Sequence, residues 1–524
     1  MHCTCVRQTE LPGISRIFAD VLYHPDRTAR FYPHPFRDLN GYRAAAAEVK
    51  FPDDRRAALV EALRVQNPQG ASLERLARPG TLVVATGQQV GLFSGPSYTI
   101  YKALHAVHLA GWLTANGIPA VPAFWLASED HDFAEVNHAV VFNARHQPRR
   151  IEMRRSASNQ PVGGVVLENP PVDELRAAME GLPFADEVAD LVAEAYHPGV
   201  TMGHAFGGLL RRLLARFDIL QVDPMLPAFR DLAAPAVRAA VETAPELTER
   251  ILARNKELTD SGYHAQVHME PGTSLVFLLD QGQRLAMKRR GEEYSTNGRR
   301  FTAAELAGHA ASLSPNALLR PVVQDSMLPT VAVIGGPAEV AYMAQSEVIY
   351  RTLLGRMPVA VPRIGFTILD ERSAKRMERY GVGLEDCFAG EDAFRERMAA
   401  RLTPAALSRA MRETVKNVET SVAQLNSELT AFDPTLAKAA ANSARKIRHQ
   451  LSKIQAKAGR ETMRRSERAM HDASSLYGLI YPERHLQERL YSIVPLLAKH
   501  GLGLIDQIHE AIELDCPDHR LMVL

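Results

Sequence analysis

Eight short apolar runs constrain this chain more than any other feature: "TLVVAT" (81–86), "VPAFWL" (121–126), "HAVVF" (138–142), "GGVVL" (163–167), "DILQVD" (218–223), "LVFLLD" (275–280), "PTVAVIGG" (329–336) and "PVAVPR" (358–363). A strand covered on both faces reads as a continuous apolar run, because neither side meets water. Amphipathic segments separate the runs, as helices crossing between parallel strands would. The expected fold class is therefore α/β with a parallel-sheet core over residues 1–370. Two stretches read as insertions. One, near 145–170, is a small β excursion around "RRIEMRRSASNQPVGGVVLENP". The other, near 270–310, is a hairpin with turns at Gln281-Gly282 and Asn297-Gly298.

Beyond 370 the strand-like runs vanish and long polar helices take over. Val418, Val422, Leu425 and Leu429 alternate steps of four and three, the spacing of a coiled-coil seam. Asp433-Pro434 breaks that helix, and Ile447, Leu451, Ile454 and Ala458 resume the repeat. This predicts a C-terminal α-helical, antiparallel coiled-coil domain over 371–500, of the kind that serves dimerisation, with 501–524 returning to the core. The second helix carries Lys446, Arg448, Lys453, Lys457, Arg460, Arg464 and Arg465, read as a solvated face opposite Glu413, Glu419 and Glu428.

Net charge is +1, so no global field recruits nucleic acid, which is not an expected partner. No window approaches the ~18 consecutive apolar residues of a membrane span, and the start lacks a secretory apolar region, so a cytoplasmic protein is expected. Cys3, Cys5, Cys387 and Cys516 are too scattered for a disulfide framework, and Cys3 and Cys5 with His2 read as a frayed terminus without a role. No residue is assigned to a metal.

Two loops carry the candidate chemistry. In the first, the strand "TLVVA" delivers Thr86, Gly87, Gln88 and Gln89 to the sheet's carboxyl edge, and a helix opens near Pro96. Gly91 and Gly95 permit close backbone approach. Ser94, Ser97, Tyr98 and Thr99 offer donors at a helix N-terminus that could take a phosphate or carboxylate, with Lys102 one turn on. A plain tight turn reads the same way, and neither G-x-x-x-x-G-K-[ST] nor G-x-G-x-x-G occurs in the chain.

In the second loop, "FWLASEDHDFAEVNH", Glu129, Asp130, His131 and Asp132 follow one another at a strand end. Four adjacent ionisable groups require hydrogen bonds, shifted pKa values or a cation. His131 between carboxylates reads as a general base, with helix capping and a structural His–Asp pair as alternatives. A third strand-turn-helix unit contributes Gly335 and Gly336, preceded by Arg320, Gln324 and Asp325.

On "TGQQVGLFSGPSYTIYKA", "PAFWLASEDHDFAEVNH", "LSPNALLRPVVQDSMLPT", "GGPAEVAYMAQ" and "LYGLIYPERHLQERLYSIVPLL", in that order along the chain, the sequence resembles the BshC family of bacillithiol biosynthesis. The resemblance implies a Rossmann-like core similar to class I synthetases, with connecting-peptide insertions and a coiled-coil domain that dimerises. It also implies a ligase that joins cysteine through a C–N amide bond to glucosaminyl-malate, giving the low-molecular-weight thiol bacillithiol. Carboxyl activation then calls for ATP, with or without Mg2+, as the expected cofactor. On this reading the loop from Gly91 to Thr99 cradles phosphates and Glu129 to Asp132 orient or deprotonate the amine, although neither a HIGH nor a KMSKS spelling is present. Two other functions fit the residues: a metal-assisted amide hydrolase or phosphoesterase using the Glu-Asp-His-Asp cluster, and a coiled-coil scaffold or RNA binder.

Overall fold

The structure, a computed structural model, describes residues 2–67, 70–154 and 159–524. Five of the eight apolar runs form one all-parallel sheet, in the spatial order Val359–Pro362, Thr330–Gly335, Leu82–Gln89, Ala120–Ala127, Leu220–Val222. The alternation of side chains along each strand explains why the runs are continuous. Leu82 and Val84 meet Ala106, Leu109 and Leu113 of the helix Tyr98–Ala115 on one face. Val83 and Ala85, on the other face, belong to one buried apolar cluster with Phe229 and Val237 of the helix Pro227–Glu242.

Numbered along the chain, that order is 5-4-1-2-3, the Rossmann arrangement. The connections leave strands one and four in opposite directions, so a crevice opens at the carboxyl ends of Leu82–Gln89 and Thr330–Gly335. This is where an open α/β sheet holds ligands.

The other three runs go elsewhere. "HAVVF" pairs with Pro148–Glu152 in a separate two-stranded ribbon. "LVFLLD" enters a five-stranded antiparallel sheet made of Arg299–Thr302, Glu293–Thr296, Gln283–Arg290, Thr273–Asp280 and Leu313–Pro315. Its tight turns sit at Gln281-Gly282 (φ 48° and 74°) and Asn297-Gly298 (φ 45° and 76°), both left-handed pairs suited to strand twist. "GGVVL" is not a strand: Val162–Gly164 is a short 3-10 turn whose amides donate to Asp130 O (2.6 Å) and Ser128 O (2.9 Å). Its donors brace the Glu-Asp-His-Asp loop instead of a ladder. Part of the expected excursion, 155–158, lies outside the described residues.

Helices Ala405–Phe432 and Pro434–Arg464 form the antiparallel arm, with Asp433 between them accepting from the Thr435 amide at 2.7 Å. Part of the basic face finds acidic neighbours, as in Arg448–Glu419 (3.0 Å) and Arg460–Glu396 (2.5 Å). The terminus expected to fray is instead the strand His2–Val6, antiparallel to His519–Val523, which runs parallel to Phe366–Leu369. Strand structure therefore reappears after 370. The last strand was hidden because two of its buried positions are polar: His519 pairs with Thr367 Oγ1 (2.8 Å) and Arg520 with Glu513 (2.8 Å).

Candidate functional site

At the carboxyl edge of the parallel sheet lies a cleft of about 1050 Å3, walled by Gln88, Gln89, Trp125, the loop Glu129–Asp132, the antiparallel sheet and the start of helix Pro337–Leu353. One side is acidic. Asp130 accepts from Gln89 Nε2 (2.7 Å) and from the His131 and Asp132 amides (2.7 and 3.3 Å). Burial alone would raise its pKa. The Gln89 hydrogen bond, the Arg284 charge and the two amides outweigh that and hold the carboxyl below its usual range. Gln89 also reaches Glu135 Oε2 at 2.8 Å, so one amide group spaces two carboxylates. Glu129 is 8% exposed, accepts from Ser314 Oγ and lies 3.5 Å from Arg230. Asp132 caps the helix Phe133–Val136.

Arg284, from the antiparallel sheet, organises this side. Its guanidinium lies 3.9 Å from the centre of the Phe277 ring and donates to Ser314 Oγ (3.0 Å) and Pro315 O (2.8 Å). It also stands 3.1 Å from His131 Nδ1 and 3.5 Å from Asp130. A guanidinium can only donate, so Nδ1 accepts and the imidazole proton sits on Nε2. His131 is thereby set as a hydrogen-bond donor toward the cleft rather than as a base through Nδ1.

The opposite side is basic. Arg320 donates to Tyr342 Oη (3.1 Å), Arg363 holds Glu488 through two bonds (2.9 and 2.6 Å), and Arg489 is exposed at the rim with no ion-pair partner among the described residues. The first turn of helix Pro337–Leu353 adds its partial positive charge. Its cap, Gly336, is closed by its own helix: the Gly336 amide donates to Glu339 Oε2 at 2.8 Å, and a Cβ there would be in contact with that oxygen (3.4 Å) and with Arg363 Nε (3.6 Å). An anionic group such as a nucleotide's phosphates would be met on this wall by Arg320, Arg363 and Arg489. Among the described residues, no three His, Cys, Asp or Glu side chains are grouped to hold a metal ion.

Of the residues singled out in the sequence, Gly87, Gln88, Gln89, Tyr98, Glu129, Asp130, His131, Asp132, Arg320 and Gly336 line the cleft. Apart from Tyr98, the glycine loop does not. Phe93, Ser94 and Gly95 take successive left-handed conformations (φ 50°, 75° and 63°), and a Cβ on Gly91 would meet Gly95 Cα at 2.9 Å. The glycines let the loop close on itself. The C-terminal segment then seals it: Ser97 N donates to Tyr491 O (2.7 Å), and Ser492 Oγ donates to Phe93 O (3.2 Å). Ser94, Ser97 and Thr99 are fully buried.

Lys102 lies beneath the floor. Its ammonium is bound to Gly87 O and Glu339 Oε2 (2.6 Å each) and Gln88 Oε1 (3.2 Å). Thr86 bridges to Ile334 O (3.0 Å), tying the two strands at the crevice. Gly335 is packed against Glu339, where a Cβ would sit 2.9 Å from that residue's own. Gln324 and Asp325 are buried, Asp325 accepting from Gln324 (3.0 Å) and the Tyr350 hydroxyl. These residues support the crevice without facing it. The reading of the sequence missed Arg284, Phe277, Glu339, Arg363 and Arg489, which reach the cleft only through tertiary folding.

Fold and cleft together define a Rossmann-like α/β protein with its site at the topological switch point and a helical arm. Comparison with known proteins gives the particular family. Residues 1–364 match the N-terminal Rossmann-like domain of BshC in bacillithiol biosynthesis, and residues 366–524 match its C-terminal coiled-coil domain. A Solibacter usitatus protein named "Putative cysteine ligase BshC" is 66% identical over 100% of both chains, and a Koribacter versatilis protein of the same name is 36% identical over 99% of both. The chain belongs to the BshC family. A solved structure from Campylobacter jejuni, described as a "putative arginyl t-RNA synthetase", shares 10% identity at a TM-score of 0.22 over 86% of this chain and 98% of its own.

Proposed function

We propose that this protein is a cytoplasmic ligase that joins the carboxyl of cysteine to the amine of glucosaminyl-malate, forming bacillithiol with ATP supplying the activation. The observation that carries the reading is the bipolar cleft, with Asp130, Asp132 and Glu135 on one side and Arg320, Arg363 and Arg489 on the other. Both substrates are amino acids or amino sugars that also bear carboxylates. The acidic side suits their ammonium groups, and the basic side suits malate carboxylates and nucleotide phosphates.

ATP makes the cysteine carboxyl a competent acyl donor. The chain's own residues orient and stabilise. Asp130, fixed by Gln89, Arg284 and two backbone amides, stays ionised and positions the amine. His131, donating from Nε2, is placed to stabilise negative charge that develops on the acyl oxygen. A carboxylate of Asp132 or Glu135 takes the proton the amine loses on attack.

We further propose that two copies pair through the arm. Leu425, Leu436, Ile447 and Ile454 are 41–55% exposed on the two-helix hairpin, an apolar stripe that a second copy would cover.

The direct test supplies purified protein with glucosaminyl-malate, cysteine and ATP, and reads product by mass. A new thiol whose mass equals the sum of the two substrates less water is expected. Absence of that thiol, together with undiminished bacillithiol in a strain lacking the protein, would overturn the assignment.

A further inference from the structure

The sequence left four cysteines without a role, and folding changes that for two of them. Strand pairing sets Cys5 opposite Arg520, and the loop before the last strand brings Cys516 over it, so residues 511 positions apart place their sulfurs 3.2 Å from each other. That is inside van der Waals contact for two sulfurs, and a closure of about 1 Å gives the S–S bond length of about 2.05 Å. Both thiols are free, Cys5 is exposed and Cys516 half-buried. Cys3 shares a strand face with Cys5 but is set opposite Met522, and Cys387 is buried. Arg520 stands 3.5 Å from the Cys5 sulfur and is held there by Glu513 at 2.8 Å, so a cation is fixed beside the pair.

We propose that Cys5 and Cys516 form a thiol–disulfide exchange site whose co-substrate is a low-molecular-weight disulfide. One thiolate attacks a sulfur of the small disulfide and expels one small thiol, leaving a mixed disulfide on the protein. The neighbouring thiolate then attacks the protein-side sulfur, forms the Cys5–Cys516 bond and expels the second small thiol. Overall, two protein thiols are oxidised and one disulfide is reduced to two thiols, with no other oxidant required. Burial and the contact with Cys516 push the Cys5 thiol up to about 11, against the pull of Arg520, so the exchange is slow at neutral pH. The bond would staple the first strand to the segment entering the last, joining the two ends of the chain.

The test incubates reduced full-length protein with glutathione disulfide and maps the thiols by peptide mass. Expected is a Cys5–Cys516 cross-linked peptide, a whole-protein mass lower by two hydrogens, and an upward shift in the thermal midpoint that reductant reverses. Cys516→Ser should stop at a persistent glutathione adduct on Cys5, and Cys5→Ser at one on Cys516. Wild-type protein that remains fully reduced, retains glutathione on both sulfurs without closing, or closes through Cys3 overturns the proposal.

Discussion

Replacing Lys102 with methionine separates a supporting role from a phosphate-binding one. The Lys102 side chain is 0% exposed and its ammonium lies 2.6 Å from Glu339 Oε2, whose side chain is 30% exposed at the cleft. Breaking a buried pair by removing one partner costs about 3–5 kcal/mol. Glu339 can recover water from the cleft and keeps its bond to the Gly336 amide at 2.8 Å, which favours the low end of that range. The stranded Gly87 carbonyl adds about 1 kcal/mol. The expected destabilisation is about 3–4 kcal/mol, read from urea unfolding followed by tryptophan fluorescence. A second change, Glu339→Gln added to Lys102→Met, removes the unpaired charge and should restore part of the loss. Burial raises the Glu339 pKa, but the Lys102 charge and hydrogen bond outweigh it and leave the pKa below its ordinary value of 4.5. The pair's contribution is therefore present above about pH 4.5, lost as pH falls through the folded Glu339 value, and lost again in alkali as Lys102, whose pKa burial lowers, gives up its proton. Wild-type stability with abolished turnover in Lys102→Met would refute this reasoning and assign the lysine to a bound phosphate.

Two more outcomes follow from the same geometry. Because Arg284 fixes the His131 proton on Nε2, His131→Gln, which keeps a donor, should retain more turnover than His131→Ala, which should lose about 10²–10³-fold with folding unchanged; equal loss in both would favour a general base. Burial first, then the charges of His108 and Arg363, push His105 down to about 3, so below pH 6.5 the unfolded chain binds a proton that the folded chain refuses. Stability should fall with acid by about 1.4 kcal/mol per pH unit from this group, and His105→Gln should remove about 2 kcal/mol of the loss between pH 6.5 and 5; an unchanged slope in urea titrations would count against it.

The parallel core was legible because burial on both faces writes itself into consecutive residues such as Val83, Val84 and Ala85. The arm was legible because heptad spacing is local, and the turns at Gln281-Gly282 and Asn297-Gly298 because left-handed pairs select those residue types. "LVFLLD" carries the same apolar signature as the parallel strands, and its turn residues Gln281-Gly282 are what mark it as one arm of an antiparallel hairpin. "GGVVL" misled because its glycines serve packing, a Cβ on Gly163 meeting Ser128 Cβ at 2.4 Å.

The site divided along the same line. Glu129 to Asp132 were legible as a cluster because four ionisable neighbours need partners. Which partners they have was not, since Arg284 arrives from 153 residues away and Ser314 from 185. That distant arginine changes the reading of the site. A histidine between carboxylates, read alone, is a base. Against a guanidinium that can only donate, its Nδ1 is occupied, and in the proposed reaction the proton transfer is assigned to a carboxylate not tied to Arg284. Asp132 and Glu135 meet that condition, whereas Asp130 is held ionised by Gln89, Arg284 and two backbone amides. The glycine loop reverses in the same way: its left-handed turn, read as a cradle for phosphate, is closed by Tyr491 and Ser492, and the cations that line the cleft are Arg320, Arg363 and Arg489. In both places a group unpartnered in the sequence acquires its partner from a remote segment, as His131 does from Arg284 and the Phe93 carbonyl from Ser492.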